Sequence, residues 1–369
     1  MKIKSPYNST ACPSYAKKLP PSLTSFGGTS RKGKQRNGSK TAFFVSMALA
    51  RISIRTLTAC LILLCSGNCK LAAKGFDSAS VGTHGAQFLK IAVGARATAM
   101  GEAYAAAADD ASAIFWNTAG LIKIKNQSLV MMHMPYLAGM SYDYIAYAQN
   151  AGNVGAWGFS IQYLNTGSIK KTDSSGIDTG SFSPYDVALT VGFASNITGY
   201  NKNPEQRFVL GANGKLVRSS IIDSDTTVSA DVGISFPYLF DNRLRMTIGL
   251  QNIMGTLRFD KYEYPLPMIF RFGTVTEISK HFIVTADITA PKDNYAYLSM
   301  GNEINISFTK DTTVSLRSGF NTRALFDFEG FRNITLGTGI VYREYSLDYA
   351  FSPYGELGNV HRISAAFKF

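Results

Sequence analysis

From about residue 128 to residue 369 the chain alternates apolar and polar residues with a period of two, run after run. Val228, Ala230, Val232, Ile234 and Phe236 alternate with Ser229, Asp231, Gly233 and Ser235. Leu244, Met246, Ile248 and Leu250 alternate with Arg245, Thr247, Gly249 and Gln251. Phe282 to Thr289 and Tyr345 to Ser352 repeat the pattern. Alternation of this kind places one class of side chain on each face of a strand. Such a chain is committed to an all-β fold, and the open question is which way its apolar faces point. About fourteen runs can be read, near 127–134, 140–150, 153–165, 184–196, 205–219, 226–237, 243–253, 266–278, 280–291, 295–308, 311–321, 331–342, 344–352 and 360–369.

A soluble sandwich would bury the apolar faces between two sheets. A membrane barrel would turn them outward to lipid. Three features favour the barrel. The runs are about ten residues long, as a tilted strand crossing a bilayer requires, whereas soluble strands are commonly about five or six. The polar phase is rich in glycine and charge: Asp231, Arg245, Arg271, Asp287, Glu303, Arg317, Asp348 and Arg362 fall on it and read as a mixed-sign set in a lumen. A solvated outer face of a soluble sheet would give the same pattern. Third, gaps after odd runs are mostly long (166–183, 254–265, 322–330) and gaps after even runs mostly short, with 197–204 the exception. That parity is the rule for outer-membrane barrels with both termini in the periplasm. Tyr142, Tyr144, Tyr163, Tyr262, Tyr264, Tyr295 and Tyr342 lie near run ends, where interfacial aromatic girdles sit. The last run ends on Phe369, a terminal aromatic of the kind read by outer-membrane insertion machinery.

Charge and cysteine divide the chain. Twelve of its 37 Lys/Arg lie in residues 1–73, which hold no acid. The remainder carries 25 bases against 25 acids, so the pI of about 9.4 belongs to the N-terminal stretch. A nucleic-acid reading needs a basic face on the folded domain and loses its support. Cys12, Cys60, Cys65 and Cys69 all precede Lys74, which leaves the body without disulfide or thiolate. Arg51 and Arg55, the apolar run Leu57 to Cys65, and the small-residue end Leu71 to Ala73 are ordered like a secretory signal. Met47 is an alternative start, and an organelle transit peptide or a lipoprotein box at Cys60 are alternative readings of the leader. The expected organisation is a leader over 1–73, a hatch over 74–126 and a barrel over 127–369 in the outer membrane.

Residues 85–125 follow a different pattern. Alanine is dense from Ile91 to Ala108 and favours short helices. Asp109 and Asp110 are placed to face the N-terminus of a second helical turn that Asn117 and Gly120 would end. The segment is too small for a core of its own, and the barrel lumen is the place for it. Gly94 to Gly101, Ala108 to Asp110 and Trp116 to Leu121 resemble the N-terminal signature of the PorV/PorQ group, barrels similar to the FadL fatty-acid channels. The resemblance covers 85–125 by motif and 126–369 by architecture. It implies an all-β transmembrane barrel of about 14 antiparallel strands with a small N-terminal helical hatch in the lumen. Two positions depart from it: Glu102 stands where the group has Gly, and Thr118 where it has Pro, which would loosen the turn after Asn117.

No enzyme is legible. Residues 28–34 match only part of a phosphate loop, with Gln35 where a magnesium-binding hydroxyl belongs. His84, His133, His281 and His361 show no metal-ligand spacing. No cofactor and no metal are expected. The leading reading is a passive channel or binding protein for hydrophobic small molecules. Met100, Phe115, Trp116 and Asn117 then lie on the ligand path, and Arg96, Asp109 and Asp110 make hatch-to-wall contacts. An alternative, implied by the resemblance, is a type IX secretion-type shuttle or accessory barrel that binds exported proteins through loops 166–183 and 254–265. A third is a structural or porin-like outer-membrane protein. Expected partners are outer-membrane lipid, the insertion machinery through Phe369, and a hydrophobic ligand or secreted proteins; nucleic acid is not among them.

Overall fold

The strands are β1 (Gln127–Pro135), β2 (Ser141–Asn150), β3 (Ala156–Asn165), β4 (Ile169–Thr172), β5 (Asp178–Phe182), β6 (Tyr185–Asn196), β7 (Val209–Ser220), β8 (Ser224–Ser235), β9 (Leu244–Gln251), β10 (Thr256–Phe259), β11 (Tyr262–Pro265), β12 (Ile269–Ser279), β13 (Phe282–Pro291), β14 (Tyr297–Ser307), β15 (Thr312–Asn321), β16 (Ile334–Tyr342), β17 (Tyr345–Pro353) and β18 (Asn359–Lys368). Fourteen of them form one closed antiparallel barrel in the order β1-β18-β17-β16-β15-β14-β13-β12-β9-β8-β7-β6-β3-β2. The two remaining pairs, β4–β5 and β10–β11, are hairpins within connections. This computed structural model describes residues 80–198, 207–323 and 332–369. The leader and its boundary with the hatch lie outside the described residues. All fourteen alternating runs are barrel strands.

Closure pairs Ser128 with Lys368, so the first strand starts and the last ends at one rim, here the terminal end. The other rim is the far end. Far-end connections span 136–140, 166–184, 221–223, 252–268, 292–296, 322–333 and 354–358. Terminal-end turns are mostly tight, as at 280–281 and 343–344, with 197–208 and 236–243 longer. One seam differs from the rest. β8 pairs with β9 over only four positions, Val232↔Leu250 to Ser235↔Thr247. β9 stops at Gln251, and Asn252 turns the chain with φ 54°. The segment beyond is held to β8 by side chains as much as by backbone: Asn252 N donates to Asp231 Oδ1 at 2.8 Å and Arg258 N to Asp225 Oδ2 at 2.6 Å.

The outward phase is apolar. Ile145, Leu189, Val191, Leu216, Val228, Leu250, Ile288, Ile304, Leu336, Ile340, Leu347 and Ile363 are all exposed on it. Each side chain of this size left in water forgoes about 1.5–3 kcal/mol, so a belt this continuous has to be covered by something apolar. The belt residues lie on strands, and among the described residues no helix is long and apolar enough to cross a membrane. Tyr163 and Tyr342 face outward near strand ends, but Tyr142 and Tyr144 are fully buried and point into the lumen. They are not girdle residues, because β2 presents its even-numbered positions inward.

The lumen is filled by residues 80–126. They begin at the far end, where Gly85 N donates to Pro265 O at 3.0 Å. A 3₁₀ turn, Gln87–Lys90, leads down to α1 (Ala95–Ala99). The chain reaches the terminal end near Asp109, turns up through α2 (Ala113–Trp116), and returns through a 3₁₀ segment, Thr118–Lys123, into β1. Asn117 ends α2 and its side chain accepts from Ala119 N at 3.0 Å. Ser112 is the N-cap of α2, and Asp110 Oδ1 accepts from its nitrogen at 2.9 Å.

Candidate functional site

The plug seats on glycines of the inward phase. Side chains added at Gly211, Gly233, Gly301, Gly319 and Gly337 would run into Thr118–Ala119, Asn117, Met100, Gly101 and Ala99 in turn. These glycines are empty places into which plug backbone and short side chains fit. The sequence carried the signal, glycine recurring on the polar phase of successive strands, but not its meaning. Met100, expected on a ligand path, is instead fully buried between Gly301 and Gly319.

Charge fixes the rest of the plug. Arg96 Nε donates to Glu303 Oε2 at 2.7 Å and Nη2 to Oε1 at 3.0 Å. Arg317 joins the same carboxylate at 2.6 Å and reaches Asp348 at 2.6 Å. Asp109 accepts from Arg96 at 2.8 Å and from Lys368 of β18 at 3.1 Å. Asp110, expected at the wall, stays within the plug and accepts from Ser112 Oγ at 2.5 Å. It lies on the first residues before α2, where it satisfies the turn instead. Asp231 pairs with Lys215 at 2.8 Å. Arg245 and Lys123 both donate to the carbonyl of Ala106. Asp231, Arg245, Arg271, Asp287, Glu303 and Arg317 are all buried and face inward.

The two departures from the resemblance have structural accounts. Glu102 adopts φ 69°, the conformation that favours glycine, and its carboxylate pairs with Arg323 at 2.5 Å. Thr118 does not leave the turn loose: its hydroxyl accepts from Asn213 Nδ2 of the wall at 2.8 Å.

At the far mouth a cavity of about 130 Å³ remains. Lys90 of the plug, Ile269 and Arg271 of β12, Thr289 and Pro291 of β13, and Tyr297 of β14 are among its lining residues. Arg271 lies over the Trp116 ring with Cζ 4.7 Å from the centroid. Trp116 is held in turn by Nε1 donating to Val93 O at 3.1 Å and by edge contacts with Tyr104 and Phe115. The far rim of the cavity is clamped: Lys90 Nζ and Gln87 Nε2 each reach Asp293 Oδ2 at 2.8 Å. Burial works to raise the Asp293 carboxyl, but the hydrogen bonds from Lys90 and Gln87 and the Lys90 charge outweigh it and hold it below the usual carboxylate range. Neither Lys90 nor Asp293 was singled out in the sequence, because one lies in an apolar turn and the other in a loop. Among the described residues no group of acids and histidines is arranged to hold a metal ion.

Residues 66–244 match the model of an uncharacterised protein family (UPF0164). No curated protein matches the sequence. Similar solved structures include the Pseudomonas putida toluene transporter TodX, at 11% identity over 74% of this chain and 96% of that one, with a TM-score of 0.48. The Ralstonia pickettii toluene transporter TbuX is 14% identical over 74% and 96%, TM-score 0.47. A Pseudomonas aeruginosa FadL homologue is 11% identical over 72% and 96%, TM-score 0.46.

Proposed function

We propose that this chain is an outer-membrane barrel that binds small, partly hydrophobic molecules at its far mouth and admits them past a plug that is largely fixed. The observation that carries the reading is the combination of an apolar outward belt with a cavity at the far mouth between the plug and strands β12 to β14. Lipid covers the belt, and the long far-end connections face the cell exterior. Arg271, over the Trp116 ring, forms the floor of the binding site, and Lys90 of the Gln87–Lys90 turn lines one side.

The plug divides into parts of unequal hold. Below Gly94 it is socketed in wall glycines and tied by the Arg96–Glu303–Arg317 network. Removing one partner from a buried ion pair costs about 3–5 kcal/mol, so that part is the firmly held one. The 84–91 segment is tied to the far rim by the Gly85–Pro265 backbone bond and the Asp293 clamp. Movement of this short segment, and not of the whole plug, opens the path.

The test uses the protein refolded in phospholipid vesicles. Unboiled protein should run faster than boiled protein on an SDS gel. Toluene or a short alkyl acid should change the emission of Trp116, with Trp157 replaced by Phe so that one tryptophan remains of the two. Soluble protein without the gel shift, or a Trp116 signal indifferent to every small molecule tried, would overturn the reading.

A second reading, a barrel that presents its far-end hairpins to exported proteins, is favoured by one observation. Ile169 and Ile177 are exposed on the β4–β5 hairpin and Tyr262 on the β10–β11 hairpin. Deleting residues 169–182 would then abolish partner capture while leaving the Trp116 response intact.

A further inference from the structure

We infer that the far-mouth cavity is a carboxylate site, so that the ligand it selects is a small organic acid and not a neutral hydrocarbon. The inference deepens the small-molecule reading above and rests on it. It starts from Arg271, which is 5% exposed. Its Nε and Nη1 have no hydrogen-bond partner, and its Nη2 has only a 3.5 Å approach to Gln251 Oε1. A buried cation left short of acceptors is expensive, because each unsatisfied donor forgoes the hydrogen bond that water would give it. The Trp116 ring beneath it offsets part of that cost.

The neighbouring charges leave Arg271 as the uncommitted one. Lys90 is taken by Asp293 at 2.8 Å. Arg323 is taken by Glu102 and by the Tyr297 hydroxyl, each at 2.5 Å. Asp287 sits on the adjacent strand and its charge is felt by Arg271, but its Oδ2 accepts from the backbone nitrogens of Tyr104 and Ala105 at 3.1 and 2.9 Å, and no direct hydrogen bond joins it to Arg271. Directly across the ladder from Arg271 stands Thr289, another residue of the cavity lining, whose buried hydroxyl is also without a partner.

One free guanidinium and one free hydroxyl suit a single planar monoanion. A guanidinium donates in a plane that matches a carboxylate. A phosphate dianion would need a second cation, and both candidates are already paired. The remaining walls, Ile269, Pro291, Tyr295 and Tyr297, accept an apolar body. At about 130 Å³ the space suits a ring or a short chain and is too small for a long acyl chain.

The experiment is a titration of the Trp157→Phe protein in vesicles with benzoate, toluene and inorganic phosphate, read as Trp116 emission. Benzoate is expected to saturate the signal, with toluene weaker by about tenfold or more and phosphate without effect. Arg271→Gln should lose the benzoate preference, and Arg271→Lys should restore part of it. The SDS-gel shift of each variant reports that the barrel is formed. If Arg271→Gln does not assemble, Thr289→Val serves in its place and should weaken benzoate relative to toluene. Equal response to toluene and benzoate, indifferent to both variants, overturns the carboxylate site but leaves the small-molecule reading standing. Saturation by phosphate without benzoate overturns it as well. Silence toward all three probes removes both readings together.

Discussion

Gly319 of β15 and Gly101 of the plug meet backbone to backbone, so closely that a Cβ on Gly319 would overlap the Gly101 nitrogen. The obstacle is main chain, which cannot swing away as the end of a flexible side chain would. Gly319→Ala should therefore destabilise the plugged barrel by about 3 kcal/mol or more, at the upper end of overpacking costs. Gly214→Ala is the control, since nothing lies within 4 Å of the Cβ it would add. The temperature at which the unboiled gel form is lost should fall for the first and not for the second. Equal behaviour of the two would show that the plug is not seated on the wall glycines.

Glu303 is the acceptor for two guanidinium groups, one from the plug and one from the wall. Glu303→Ala leaves Arg96 and Arg317 facing each other without it, at an expected cost of about 3–5 kcal/mol. Arg96→Ala should cost less, because Glu303 keeps Arg317. Urea titration of the vesicle-bound protein gives the order. A smaller effect for Glu303→Ala than for Arg96→Ala would mean that the network does not hold the plug.

The far-rim clamp should depend on pH. The folded Asp293 carboxyl is held below its ordinary value, so its contribution is complete above about pH 4, the unfolded value. It is lost as pH falls through the lower folded value. Hydrogen exchange of the 84–91 amides should stay slow from neutral pH to about 4 and then quicken, apart from the intrinsic pH dependence. Asp293→Asn should show the quick exchange at every pH. Protection that persists unchanged in Asp293→Asn would place the hold on this segment elsewhere.

The outward belt gives the sharpest sign test of membrane insertion. Leu216 is exposed at the middle of β7, on the outward phase. Leu216→Arg should lower stability in a bilayer by about 2–4 kcal/mol, as charge near the midplane does. In a soluble protein the same change at an exposed site would be worth within about 0.5 kcal/mol. The folded fraction in vesicles decides between them.

Fold class was open to reading from the chain alone because a strand repeats every two residues. Outward Val228 and Ile234, inward Asp231 and Arg245, and all fourteen strands follow from a local rule applied along the sequence. Tyr142 and Tyr144 show its limit: aromatic character near a strand end suggested a girdle, and only the phase of β2 decides that they face in. Which inward residues meet was beyond sequence reasoning. Arg96 and Glu303 are 207 positions apart, and Lys90 and Asp293 are 203 apart. No local pattern couples residues at such separations; the closure of β1 on β18 and the path of the plug inside it do. Trp116 and Arg271 were each legible as a plug aromatic and a lumen charge. That they meet, and that two guanidinium nitrogens are left without an acceptor beside a cavity, was settled only when the plug folded against β12.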